Sequence, residues 1–176
     1  YAALKQWDRA AEKFEQLLAQ CETDTPHCNT VLRSLAMCTF NAGDYGRAME
    51  CYDRLTVVAR RDPEVWLGMA QSALGLEDTA KAAHYAQRAL DFKPAWPRAY
   101  AVLGSALYLK GDYEGALDVF EKINTDNEFA GFAWFMTGRC CRHLGQTDRA
   151  DSAFARAEQM DPDNELVRGF LNRKKK

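Results

Sequence analysis

The sequence predicts an all-α solenoid built from helical hairpins. Three observations predict it: apolar residues recur with 3–4 spacing through most of the chain, no stretch alternates as a strand would, and columns of residues recur every 34 positions. Trp66, Tyr100 and Trp134 keep that step, as do Ala82, Ala116 and Ala150. Phe120 and Phe154 share it, with Ala86 one period earlier. Ala89, Ile123 and Ala157 form a further column, and Pro94 and Pro162 stand two periods apart. Counting back one period puts Leu32, Leu35, Ala36, Ala48, Tyr52 and Leu55 in the matching slots.

The elements follow in order. Ala10, Phe14 and Leu17 repeat the spacing of Ala48, Tyr52 and Leu55, but lie further upstream than one period. Residues 1–24 therefore read as a partial unit, the end of a first helix and then a second helix, with residues 25–28 as an insertion in the connection. The chain opens on Tyr1, inside that first helix and without a leader, and reads as a fragment of a longer protein. Four full units span 29–62, 63–96, 97–130 and 131–164. In each, apolar residues at unit positions 4, 7, 8 and 11, such as Tyr100, Leu103, Gly104 and Leu107, share one helix face. Positions 20, 24 and 27, such as Ala116, Phe120 and Ile123, do the same on a second helix. A breaker such as Lys110-Gly111-Asp112-Tyr113 separates the two, and Asp62-Pro63 and Asp161-Pro162 punctuate unit boundaries. Residues 165–176 carry Leu166, Phe170 and Leu171 in helical spacing and read as a capping helix with a basic end.

Composition removes several function classes. Lys plus Arg number 23 against 25 Asp plus Glu, a net charge of −2, so no global field draws nucleic acid or an anionic membrane surface. The longest uncharged stretch runs only from Val65 to Leu76. A membrane span needs about 20 apolar residues, so none is expected. The six cysteines lack zinc-ligand spacing, and only Cys21 and Cys28 could close a short loop, which points to a reducing, cytoplasmic compartment. Cys140, Cys141 and His143 form the one cluster with soft-metal ligands, but Cys141 falls on the packed face and Cys140 in a column of small residues. Phosphate-loop, nucleophile-elbow and zinc-protease motifs are all missing. Neither catalysis, nor a metal, nor a cofactor is expected.

The run Trp134-x-x-Thr137-Gly138-x-x-Cys141, then Ala150-x-x-x-Phe154-x-x-Ala157-x-x-x-x-Pro162, resembles a tetratricopeptide repeat (TPR). The turns Gly111-Asp112-Tyr113-Glu114-x-Ala116 and Gly43-Asp44-Tyr45-x-x-Ala48 carry the same resemblance, which extends over residues 1–164. Thr137 and Cys141 stand where larger residues are usual, Leu32 where Trp is, Ala86 where an aromatic is, and Ile123 where Ala is. The resemblance implies a right-handed superhelix whose first helices line a concave groove for a partner peptide. Residues Phe14, Leu35-Ala-Met-Cys38, Gly43-Asp-Tyr45, Ala48 and Tyr52 are also similar to the TPR-type chaperones of type III secretion, which keep a translocator protein soluble.

In helical projection, unit positions 2, 5, 9, 12 and 13 of each first helix oppose the packed face. The residues expected to line the groove are Arg33, Met37, Phe40, Asn41, Gln71, Leu74, Arg98, Ser105, Tyr108, Phe132, Phe135, Arg139, Arg142 and His143. With Thr30, Glu64, Leu67, Gly75, Ala101 and Leu109 in the same projection, the face holds four Arg against one Glu, opposite in sign to the whole chain. Arg beside aromatic surface is the composition of an interface hot spot. The expected function is non-catalytic binding of a protein or peptide with acidic and apolar residues, as adaptor or scaffold. The alternatives are a chaperone for a secreted protein and the regulatory arm of a larger enzyme. The paired Lys and Asn that hold terminal carboxylates in chaperone-binding TPR domains are replaced by Arg33 and Met37, so that clamp is not expected.

Overall fold

The computed structural model describes residues 2–21, 25–123 and 127–162, and every regular element among them is an α-helix. The helices are α1 (Ala2–Gln20), α2 (Pro26–Ala42), α3 (Tyr45–Val58), α4 (Pro63–Gly75), α5 (Thr79–Phe92), α6 (Pro97–Lys110), α7 (Tyr113–Phe120), α8 (Ala130–His143) and α9 (Thr147–Met160). They form an all-α helical-repeat solenoid, with one compact unit up to Pro94 and a second from Ala95 onward.

Turn chemistry sets the rhythm. Helices α3, α5, α7 and α9 begin at Tyr45, Thr79, Tyr113 and Thr147, each one full period after the last. Before three of them an aspartate caps the helix: Asp44 accepts from the Arg47 N–H at 3.1 Å, Asp78 from Lys81 at 3.1 Å, and Asp112 from Gly115 at 2.9 Å. Gln146 fills the fourth slot and makes no side-chain cap bond. One residue earlier the backbone turns left-handed at Gly43, Gly111 and Gly145, with φ of 85°, 88° and 74°. The remaining slot in that column holds Glu77, at φ 60°. A side chain there is strained because its Cβ crowds the following carbonyl.

Two expectations for the start of the chain are corrected. In the upstream partial unit, Gly43-Asp44-Tyr45 corresponds to Lys5-Gln6-Trp7, which supplies neither a glycine for a left-handed turn nor an aspartate cap. Helix α1 therefore runs uninterrupted from Ala2 to Gln20 instead of splitting in two. Residues 25–28 are not a loop insertion. Thr25 Oγ1 accepts from the Cys28 N–H at 3.1 Å and Pro26 opens α2, so they form the cap and first turn of a helix longer than its counterparts α4 and α6. The expected capping helix over 165–176 lies outside the described residues.

Each unit has its own core. In the N-terminal unit Ala11, Leu32, Leu35, Ala36, Cys38, Cys51, Leu55 and Val65 pack together, with Trp7 and Phe14 against them. In the C-terminal unit the centre is Phe120 and Phe154, each 1% exposed, with Ala116, Ala150, Cys140 and Cys141 fully buried. A Cβ on Gly138 would lie 2.6 Å from the Phe154 ring, so glycine there lets α9 close onto α8.

The strained turn at Glu77 and the uncapped start of α9 should both be improvable. Glu77→Gly should raise stability by about 1 kcal/mol through relief of the left-handed strain. Gln146→Asp should add about 0.5–2 kcal/mol by restoring the cap. Urea denaturation of each variant checks both, and Gly111→Ala should shift the midpoint the other way.

Candidate functional site

The C-terminal unit has a cavity of about 380 Å³ lined by Tyr108, Arg139, Arg142 and His143. Arg139, Arg142 and His143 lie at i, i+3 and i+4 at the end of α8, so one helix face carries all three. The carbonyl end of a helix favours cations, which suits Arg142 in its last turn. Tyr108 comes from the end of α6, just before the left-handed turn at Gly111.

Two tyrosines fix the histidine. The Tyr108 hydroxyl is 2.9 Å from His143 Nε2, and the His143 ring stacks on Tyr113, the first residue of α7, at 4.1 Å between centroids and 7° between planes. Tyr108 meets Tyr113 edge-on at 5.3 Å. Above Tyr108 lies the Arg139 guanidinium, 4.6 Å from the ring centre, and the same group is 5.9 Å from Phe135. Tyr108 is only 8% exposed, and burial pushes its hydroxyl above the ordinary tyrosine value, with Arg139 opposing. The phenol thus stays protonated and can donate at neutral pH.

A counterpart two periods upstream shows what the scaffold itself requires. Phe40 and Tyr45 hold the slots of Tyr108 and Tyr113 there, and they meet edge-on at 5.4 Å and 62°, against 5.3 Å and 63° for the later pair. The slots of Arg139, Arg142 and His143 hold Gln71, Leu74 and Gly75. A Cβ on Gly75 would lie 2.5 Å from the Tyr45 ring, so that ring packs onto bare helix where Tyr113 instead carries His143. The aromatic corner is a packing device common to both units. The hydroxyl, the imidazole and the two guanidinium groups are additions to it in the second.

A profile of the tetratricopeptide repeat family matches residues 1–64, 67–129 and 133–164. The chain belongs to the tetratricopeptide repeat family. Subunit 3 of the anaphase-promoting complex of Schizosaccharomyces pombe is 27% identical over 105 residues, which cover 60% of this chain and 16% of that protein. Among solved structures, MamA has a TM-score of 0.78 at 19% identity, with 89% of each chain covered. YrrB, described as a TPR protein with an unusual peptide-binding site, has a TM-score of 0.76 at 17% identity, covering 99% of this chain and 87% of its own.

The other residues assigned by helical projection are scattered in character within this TPR chain. In the N-terminal unit Arg33 is paired with Asp62 at 2.7 Å, and the Asn41 amide donates to the Met37 carbonyl at 2.8 Å. Met37 is exposed, Phe40 half-buried on Tyr45, and Gln71 and Leu74 half-buried. In the C-terminal unit Arg98 is exposed, Ser105 donates to the Ala101 carbonyl at 2.8 Å, and half-buried Phe132 meets Phe120 edge-on. The projection places Phe135 on the open face, yet it is 7% exposed and packs on Phe154 at 5.9 Å. A long ring can lean from its own face onto the next helix, which an ideal helical wheel does not register. Tyr113 lies outside the projected set because it belongs to a turn; its recurrence as the Tyr45 of the earlier turn is the signal that could have found it.

The cysteine cluster takes no part in the site. Cys140 and Cys141 are fully buried, and burial, with Cys141 adjacent, pushes the Cys140 thiol up to about 11. Among the described residues no group of histidine, cysteine and carboxylates has the arrangement of a metal site.

Phe135 and Arg142 should therefore separate in their effects. Phe135→Ala should destabilise the C-terminal unit by about 3–5 kcal/mol through lost core packing. Arg142→Ala, on an exposed last turn, should change stability by less than about 0.5 kcal/mol. Hydrogen exchange resolved by segment reads both, with the loss for Phe135→Ala concentrated in α8 and α9.

Proposed function

We propose that the chain is a non-catalytic protein-interaction module, an adaptor or assembly scaffold, and that the cavity at the ends of α6 and α8 receives an acidic side chain of a partner segment. The observation that carries this reading is the contrast between the two aromatic corners. The same packing is made with Phe40, Gln71, Leu74 and Gly75, so the aromatic corner does not require the Tyr108 hydroxyl, Arg139, Arg142 or His143. Arg139 rests on aromatic faces and has no carboxylate partner among the described residues, which leaves its charge uncompensated. A guanidinium fork beside a tyrosine suits a carboxylate or phosphate flanked by apolar side chains, and exposed Leu109 offers apolar surface on α6.

The relatives support the general class. YrrB is by description peptide-binding, and the yeast relative is by name a subunit of a complex. With 23 basic against 25 acidic residues, a protein partner fits better than a nucleic acid. Six free cysteines, five of them buried, suit a reducing compartment such as the cytoplasm. Among the described residues no helix is long and apolar enough to cross a membrane.

Selection of a random displayed peptide library on the purified chain tests the reading. Enriched peptides should carry Asp or Glu next to Leu, Phe or Trp, and their affinity should fall as salt rises through the range where the screening length drops below about 10 Å. Arg139→Ala and Arg142→Ala should each weaken binding by about 1–2 kcal/mol. Lys122→Ala, exposed beyond α7, should leave it unchanged. Enrichment without acidic residues, or undiminished binding by the double Arg variant, would refute the proposal.

A further inference from the structure

We propose that the groove between α1 and α3 is a docking slot for a tryptophan or tyrosine side chain of a partner protein, with the Arg54 guanidinium covering the ring. The slot lies wholly in the N-terminal unit, is distinct from the cavity of Tyr108 and Arg139, and stands or falls without it. Behind it is a set of rings that the repeat unit 63–96 has and the unit 29–62 lacks.

Unit position 26 is a cation in each full unit, as Arg54, Arg88, Lys122 and Arg156, and position 4 is Leu32, Trp66, Tyr100 and Trp134. Packing joins the two columns: Arg88 lies 5.4 Å from the centre of the Trp66 ring, and Arg156 lies 4.5 Å from that of Trp134. Around Arg88 the aromatic surface is larger still. Phe92 is also 5.4 Å from its guanidinium, Tyr85 meets Trp66 at 6.1 Å, and the Trp66 indole N–H donates to the Arg60 carbonyl at 2.8 Å. One period earlier, Leu32, Cys51 and Val58 hold the slots of Trp66, Tyr85 and Phe92. Three rings are thus exchanged for small or aliphatic side chains around a cation that is retained. A groove of about 470 Å³ opens there, lined by apolar Leu18, Leu35 and Cys51 and by Arg54.

A ring fits this lining better than an aliphatic side chain does. The volume suffices, since an apolar cavity of about 150 Å³ already holds benzene. Cys51 is 7% exposed, and burial pushes its thiol above the ordinary value, with Arg54 and Arg47 opposing, so it stays neutral and presents apolar surface. Leucine would fill the groove but give Arg54 no counterpart, whereas the face of a ring is electron-rich and attracts a guanidinium. Glu50, one turn before Arg54 on α3, lines the same groove and can accept an indole N–H or a phenol O–H, which favours Trp and Tyr over Phe. The other two charged residues of the lining, Glu15 and Arg47, are paired with each other. Among the described residues neither Arg54 nor Glu50 is in an ion pair, so both are available to a ligand.

The probe is N-acetyltryptophanamide, titrated into the intact chain and followed by methyl resonances. The methyls of Leu18 and Leu35, which line the groove, should shift through the ring current. N-acetyltyrosinamide should shift them as well, and N-acetylleucinamide should leave them in place. A short peptide with a central tryptophan should bind at least as tightly as the amide; if free indole binds and the peptide does not, the slot serves a small molecule and the proposal falls. Arg54→Gln should weaken the tryptophan probe by about two- to fivefold, the size of an exposed cation–π contact. Glu50→Ala should erase its advantage over the N-methylindole analogue, which has no N–H to give. Cys51→Tyr, which installs the residue of the next unit, should fill the slot and abolish binding. Ala19→Trp, at an exposed position of α1 in the same lining, should block it without touching the core. A leucine probe that shifts the methyls as strongly as tryptophan, no shift with any probe, or tryptophan binding that survives both Cys51→Tyr and Ala19→Trp overturns the proposal. So do two other occupants: methyl shifts that grow with protein concentration alone put a second copy in the slot, and contacts from these methyls to a ring of the chain in the probe-free protein put its own segment there.

Discussion

The spacing between the two helices of a hairpin depends on what stands at the eighth position of its repeat unit, on the first helix. In the last two hairpins that residue is glycine, and the ring of the second helix occupies the place a side chain would need. A Cβ on Gly104 would lie 2.7 Å from Phe120, and one on Gly138 would lie 2.6 Å from Phe154. Close approach buries Ala116 and Ala150 completely, and with them the neighbouring sulfurs of Cys140 and Cys141. Because the interior is filled at crystal-like density, a hairpin that closes this far has one register and one rotation for each helix. The direction in which Arg139, Arg142 and His143 leave α8 is a consequence of that closure.

Where the packing is already determined, exposed positions at the helix ends are free to vary. The aromatic corner illustrates this, since the rings of Phe40 and Tyr45 cross with nearly the same separation and angle as those of Tyr108 and Tyr113. One unit leaves the corner bare against Gly75, and the other builds a hydrogen-bonded, cation-covered wall on it. Packing and polar chemistry are thereby assigned to different atoms of the same residue. The ring of Tyr108 belongs to the core, and its hydroxyl belongs to the cavity.

The period, the helical class and the hairpin turns are legible in the sequence because small, aromatic and turn-forming residues each repeat for a local reason. Less legible is anything that depends on a partner distant in sequence. Arg33 appears on a helical wheel as an outward cation, but Asp62, which neutralises it, comes from the turn before α4. Phe135 appears outward for a similar reason, because the surface it covers belongs to α9. The unbroken α1 departs from the periodic reading on other grounds: aligning Lys5-Gln6-Trp7 with Gly43-Asp44-Tyr45 assigns a turn to residues that lack the chemistry to make one. Of the site, the cations and Tyr108 are visible in the periodic pattern. The stacking of Tyr113 on His143, which turns a charged patch into an oriented one, requires coordinates.

Cations in this chain are held in two distinct ways. Arg33, Arg47 and Arg149 each sit against a carboxylate, so their fields are largely cancelled at short range. Arg139 is held by the faces of Tyr108 and Phe135, an attraction that orients the guanidinium but adds no negative charge. The C-terminal cavity can therefore be locally positive within a chain whose net charge is −2, and can be so without the unfolding pressure that a large overall charge imposes. An ion-paired surface must break its pairs before it can bind an anion. A guanidinium held by rings, as Arg139 is, stands oriented with no such pair to break, because folding has already placed its charge.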